Sequence, residues 1–394
     1  MDSRPSLQDA TCAIVAGLDL NGLGVVRSLG RAGVPVVALD TDLNKPTAAT
    51  RYGSKLLVRA LSGPSFVEDL LALRPRFESN PVLLLTQEGS VATVSAAREQ
   101  LAQAYRFTMP SHDLMEDLLD KLRFQALAEQ HGSPIPRAVR LVRGQSTDAI
   151  EALRYPCALK PTTKDPEYGK RFAKAYKVTG PDEVRQLWSA MLEVVDEMIV
   201  QEWIEGGDSD VYFSLWYRSS AACPPISFVG RKICQWPVLV GGTASCMPAP
   251  EAAADITRLT DHFFDAVGFV GIGSMEYKRD ARDGRFYMIE PTVGRTDYQE
   301  EIATLNGVNI PFAVYRGELG SAMPQSQPVV PALAWRDPLG YARARMAGAP
   351  DPMFEIAPNI KVRDAYFRTN DPMPFLALKT QGIRNRLSRI WRAR

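Results

Sequence analysis

Histidine is nearly missing from this chain. Only three occur, at 112, 131 and 262, too scattered to build a histidine-based zinc site. No G-x-S-x-G elbow is present, which argues against a Ser-His-Asp hydrolase. The five cysteines (Cys12, Cys157, Cys223, Cys234, Cys246) are odd in number and include no C-x-x-C pair. They read as reduced packing thiols, as in a cytoplasmic protein, and not as a disulfide frame. There is no run of about 18 apolar residues, so no segment reads as a membrane-spanning helix. Asp2 and Asp19 flank the first apolar stretch, which is not the pattern of a signal peptide. Charge of one sign is lacking too. The 46 Lys plus Arg against 45 Asp plus Glu leave no overall basic field to recruit nucleic acid.

What is there is globular. Over 394 residues, 45% are apolar and 23% charged, which suits two to three domains with real cores. One asymmetry stands out at the end of the chain. The last sixteen residues carry Lys379, Arg384, Arg386, Arg389, Arg392 and Arg394 with no acid; the net +1 less those six leaves the remainder at −5. Residues 383–390 with Trp391 fit an amphipathic helix on anionic lipid. A segment so short reads more readily as a frayed cationic tail.

Residues 11–108 alternate strand and helix, with strands at 11–17, 34–39, 55–58 and 81–85 and helices at 25–32, 64–73 and 88–103. That order predicts βαβ units and a parallel sheet. Residues 109–197 form a second region, opening with helices that Ser111 and Asp120 would cap, then a strand 155–161, a strand 175–178 and a helix 182–194. A third region, 198–318, begins with a strand through Ile204. Strands at 210–217 and 225–232, a helix at 252–266 and a hairpin at 272–290 follow. Residues 319–335 read as loop, so 319–394 is a C-terminal extension with a basic tail. No repeat is visible.

The strongest chemical signal is that hairpin. Asp283-Gly284 is a turn signal between apolar arms, and with a three-residue loop 282–284, Glu276 lies directly opposite Glu290 on one face. Two carboxylates so close repel unless a cation separates them, and their oxygens suit Mg²⁺. The bland alternative is a hairpin whose acids are neutralised by Lys278 and Arg279. A second signal is Gln201-Glu202-Trp203-Ile204 leading to Gly206-Gly207-Asp208. An extended segment of this kind offers backbone groups and apolar walls to adenine, and Asp208 could meet a ribose hydroxyl; an ordinary edge strand would look the same. Lys121, after a helix cap, and Lys160, ending an apolar strand, could each present an ammonium to phosphate. The loop 162–174 adds Lys164, Lys170, Arg171 and Lys174, without the glycines of a Walker A loop. Residues 18–24 lack the G-x-G-x-x-G spacing of a dinucleotide site and read as a turn offering amides to a small anion. An NAD-dependent oxidoreductase would instead place its nucleotide there and at Asp40.

Taken in order, Lys121, Lys160, Gln201–Asp208, Glu276 and Glu290 resemble the ATP-grasp superfamily of carboxylate–amine ligases over roughly residues 11–318. The resemblance implies an α/β and α+β fold: a Rossmann-like pre-ATP-grasp domain (1–108), a small lobe (109–197) and a large lobe (198–318) that grip ATP. It makes Lys121 and Lys160 the ATP lysines, Gln201, Glu202, Trp203 and Ile204 the adenine hinge, and Glu276 and Glu290 the Mg²⁺ acids. Phe228-Val-Gly-Arg231-Lys232, followed by a loop Gly241-Gly242-Thr243-Ala-Ser245, resembles D-aspartate-ligase-like members. Two adjacent cations there would steady a carboxylate and its acyl phosphate. The family commonly has E-x-N-P-R where this chain has Glu290-Pro-Thr292-Val-Gly-Arg295, so Thr292 stands in for a metal-binding amide and Arg295 for the arginine. The implied substrates are a small carboxylate and an amine, an amino acid or sugar acid among them. A homodimer is compatible with the sequence, as is the alternative of an ATP-binding module without turnover.

Overall fold

The computed structural model describes residues 11–162 and 166–392, with side chains described up to residue 383. Asp2, Lys164 and Arg394 lie outside the described residues, as do the side chains of Arg384, Arg386, Arg389 and Arg392. Four short strands begin the fold: β1 (Ala13–Ala16), β2 (Val36–Asp40), β3 (Ser54–Leu57) and β4 (Val82–Leu85). All pair in parallel in the order β3-β2-β1-β4. Ala13–Ala16 is buried along its whole length, as a strand covered on both faces by helices must be.

The helix after β1 begins at Leu20, not at Val25, and runs to Arg31. Residues 20–24 are therefore the first turn of a helix and not a separate turn. A Cβ on Gly22 would sit 1.9 Å from the Gly17 carbonyl oxygen, so glycine there permits the close packing of helix on strand. The Leu18 N–H donates to Asp40 Oδ2 at 2.7 Å, and Asp40 is fully buried with Lys45 beside it. The acid that a dinucleotide would need at its ribose is thus committed to the fold.

The small lobe is a four-stranded antiparallel sheet in the order β5-β8-β6-β7. Its strands are β5 (Ala138–Val142), β6 (Cys157–Pro161), β7 (Tyr176–Val178) and β8 (Glu197–Glu202). It has its own core around Leu159, Trp188 and Val200. Asp120 caps the preceding helix Lys121–Gln130, accepting from the Leu122 and Arg123 N–H groups at 2.9 Å. That cap aims Lys121, the first helical residue, across the lobe.

The large sheet has seven strands in the order β13-β12-β9-β10-β11-β14-β15. They are β9 (Val211–Arg218), β10 (Ile226–Trp236), β11 (Gly242–Pro248), β12 (Gly271–Arg279), β13 (Phe286–Val293), β14 (Leu333–Arg336) and β15 (Lys361–Asp364). Two expectations change here. Residues 242–245 lie within β11, so only Gly241 of that segment remains in the loop. Residues 333–336 pair with β11 and carry β15 at the edge, so the C-terminal segment extends the large sheet. Both short strands escape pattern reading because their neighbours along the chain are loops. The chain closes with helix Met373–Arg392.

Candidate active site

Register decides which side chains meet. Glu276 lies opposite Glu290 on one side and Phe213 on the other, and Phe213 lies opposite Gly230. Paired residues share a face and neighbours alternate. Ser274, Glu276 and Lys278 on β12, Glu290 and Thr292 on β13, and Lys232 on β10 therefore share one face. The facing acids arise by a different route from the simple count. The Asp280 N–H bonds the Arg285 carbonyl across a turn whose Gly284 has φ 72°, one residue longer than the expected loop. A bulge at Ile289 then restores the pairing.

The same register turns Arg231 away. Arg231 pairs with Tyr212, which pairs with Tyr277, on the opposite face of the sheet. Its guanidinium stacks 5.0 Å from the Tyr212 ring centroid and donates to the Ser209 carbonyl, so it does not attend the acids. The expectation of two adjacent cations at the site is corrected: alternation lets only Lys232 point inward. Asp208 is likewise corrected as a ribose contact. It is buried and accepts from the Gln235 N–H at 2.8 Å, Gln235 Nε2 at 3.0 Å and the Leu239 N–H at 2.9 Å.

Between the small lobe and this face lies a cavity of about 310 Å³. The hinge residues Gln201, Glu202, Trp203 and Ile204 line it, as do Lys121 and Lys160. Lys232, Glu276, Glu290, Thr292 and Arg295 line its other side. Lys278 and Lys177 stand 5.3 and 4.9 Å from the Trp203 ring centroid. The Trp203 N–H donates to the Pro156 carbonyl and its own carbonyl accepts from Arg282, so the indole is held at the wall by its backbone.

Lys160 Nζ donates to Gln201 Oε1 at 3.0 Å, and Gln201 Nε2 to Gln125 Oε1 at 2.9 Å. Burial pushes the Lys160 ammonium down to about 8; Glu290 opposes the shift, and Lys121 and Lys174 add to it. Lys121, Lys160 and Lys174 line the cavity together with Glu88 and Glu290. At the other wall, burial raises the Glu276 carboxyl; Lys232 counters this, while Glu290 and Asp297 add repulsion. Lys232 Nζ lies 2.5 Å from Glu276 Oε2. Among the described residues no group of three or more His, Cys, Asp or Glu is set to hold a metal ion. An ion here would take two carboxylates and complete its shell from substrate oxygens.

Sequence reasoning missed Gln125 and Asp297, and met Lys278 only as a counter-charge to the hairpin acids. Asp297 accepts from Ser274 Oγ at 3.0 Å and Gln299 Nε2 at 2.9 Å. It follows β13 in an irregular segment, where no periodicity announces a side chain's direction.

No family model matches the chain. Two curated relatives do. The D-aspartate ligase of Enterococcus faecium (strain Aus0004) is 25% identical over 320 residues, 75% of this chain and 74% of its own. The D-alanine–D-alanine ligase of Marinobacter nauticus is 26% identical over 290 residues, 71% and 78% of the two chains. Solved structures with the same fold include an ADP complex of purK, the N5-carboxyaminoimidazole ribonucleotide synthetase. Its TM-score is 0.61 at 16% identity, over 81% of this chain and 79% of that one. Biotin carboxylase from Campylobacter jejuni, in a β-γ-ATP complex, has a TM-score of 0.62 at 16% identity, over 80% and 72%. The chain thus has the ATP-grasp fold that these structures share. By sequence it is similar to those two ligases, at 25% and 26% identity over 75% and 71% of its length.

Proposed function

We propose that this enzyme uses ATP and Mg²⁺ to join a small carboxylate to an amine, forming an amide through an acyl phosphate. The observation that carries the reading is the facing pair Glu276 and Glu290 in one cavity with Lys121 and Lys160. The acids fit a divalent ion: a cation, the Lys232 ammonium, already stands beside Glu276, and the pair still repels. Two carboxylates plus phosphate oxygens is an ordinary Mg²⁺ set, with the Thr292 hydroxyl within the same face. Held by Glu276 and Glu290, Mg²⁺ would supply positive charge to offset that developing on the transferred group.

The chain's own residues do the rest. Lys121 and Lys160 hold the phosphates, and Gln201 keeps Lys160 aimed. Trp203 and Ile204 wall the adenine, and Glu202, whose carboxylate is tied to the Arg154 N–H, fixes the hinge. A carboxylate oxygen of the acid attacks the γ-phosphorus while the bond to ADP breaks. The amine then attacks the acyl carbon, phosphate leaves, and the amine's proton passes to solvent. Arg295 and Lys232 stabilise the anionic acyl phosphate. Positioning and charge neutralisation supply the rate, and no covalent nucleophile is required. The names of the two relatives make amino acids the first acids and amines to try, with sugar acids next.

Hydroxylamine as a general amine, with pooled D- and L-amino acids and sugar acids, should yield hydroxamate and ADP together in the presence of Mg²⁺. Glu290→Gln should reduce this by at least about a hundredfold while leaving the thermal melt in place. Tight ATP binding with no ADP from any acid would instead mark an ATP-binding module without turnover.

A further inference from the structure

The ladder between β10 and β11 carries three polar side chains, each at least 96% buried. They are Lys232 (4% exposed), Gln235 (2%) and Thr243 (3%), and all three line the cavity. Gln235 and Thr243 are directly paired, so their side chains share a face. Gln235 is spoken for at both ends: its Nε2 donates to Asp208 Oδ1 at 3.0 Å, and its Oε1 accepts from Lys232 Nζ at 3.2 Å. Lys232 in turn reaches Glu276 at 2.5 Å. Thr243 is the member left over. Its buried hydroxyl has no hydrogen-bond partner among the described residues. An unmade bond of that kind is destabilising and calls for a partner.

We propose that the Thr243 hydroxyl is a substrate contact, which with the Lys232 ammonium seats the carboxylate of the acid that is to be phosphorylated. The proposal rests on the ligase reading and adds a residue to it. An oxyanion needs a charged donor and a neutral donor converging on one point. Lys232 supplies the first and Thr243 the second, both on the lining of this cavity. Gln235 is a positioning residue: anchored by buried Asp208, it holds the lysine against rotation toward Glu276 alone.

Thr243→Val keeps the branched shape and removes only the hydroxyl. Hydroxamate formation from the pooled amino acids, with hydroxylamine and Mg²⁺, is measured for wild type, Thr243→Val and Thr243→Ser, alongside ATP affinity by calorimetry. Thr243→Val should raise the apparent KM for the acids at least about tenfold, the size of a hydrogen bond to a charged group. ATP affinity should stay within about twofold, and Thr243→Ser should recover most of the loss. An active wild type whose Thr243→Val variant has the same KM overturns this inference alone. A valine variant that loses ATP affinity in equal measure also overturns it, since the hydroxyl would then be structural. A wild type that binds ATP and makes no hydroxamate sinks the ligase reading, and the seat with it.

Discussion

Lys160 shows how one side chain acquires a task from its surroundings. On a free chain its ammonium would be an ordinary solvated charge. Here burial and the neighbouring Lys121 and Lys174 push it down to about 8, with only Glu290 in opposition. Phosphate binding favours the charged form, so ATP should bind progressively less tightly as pH rises through about 8. At pH 8, binding should take up a proton from solution. Calorimetry in two buffers of different ionisation enthalpy reads that uptake directly. Identical affinities from pH 7 to 9.5 would count against a phosphate contact at Lys160. Sequence order pointed to this lysine, but not to the Gln125–Gln201 chain that aims it. Gln201 reaches Lys160 because β6 and β8 pair, and Gln125 meets Gln201 only where helix Lys121–Gln130 packs on that sheet.

Among the elements, helix Leu20–Arg31 carries a demand that its own composition hides. Arg27 is buried, with Nε 2.8 Å from Asp371 Oδ2 and further bonds to the Ala365 and Tyr366 carbonyls. Asp371 also accepts from Thr50 Oγ1 at 2.7 Å and the Arg51 N–H at 2.8 Å. Glu301 and Arg368 complete the cluster. Removing one partner of such a group strands a buried charge, so Arg27→Met should cost about 3–5 kcal/mol in urea unfolding. A loss under about 1 kcal/mol would mean that water already reaches Asp371. The hairpin β12–β13 makes a complementary point. Its alternation and Asp283-Gly284 turn were legible, yet the facing of Glu276 and Glu290 depends on a longer turn and a bulge that cancel each other. Alternation also decided against Arg231, a residue whose chemistry suited the site while its strand position did not.

Across the whole molecule, cores do not follow the order of the chain. The small lobe keeps its own apolar cluster, while the parallel sheet and the large sheet share theirs, Ile14 and Phe66 with Trp216 and Phe263. The C-terminal segment adds β14 and β15, packs Ala344 and Met353 against Ile233, and supplies Asp337 to the Tyr298 hydroxyl at 3.2 Å. A chain ended at residue 330 should therefore fail to fold, judged by circular dichroism and solubility. A cooperative melt from that truncated chain would show the extension to be dispensable. No helix among the described residues is long and apolar enough to cross a membrane. By itself, the sequence determined the βαβ opening and the acidic hairpin, because each is written in local periodicity or turn chemistry. Tertiary structure alone decided that Arg231 and Asp208 serve the scaffold, that Thr243 faces the cavity, and that Arg27 needs Asp371. Those outcomes depend on the face a strand presents and on contacts between residues hundreds of positions apart, which no local pattern encodes.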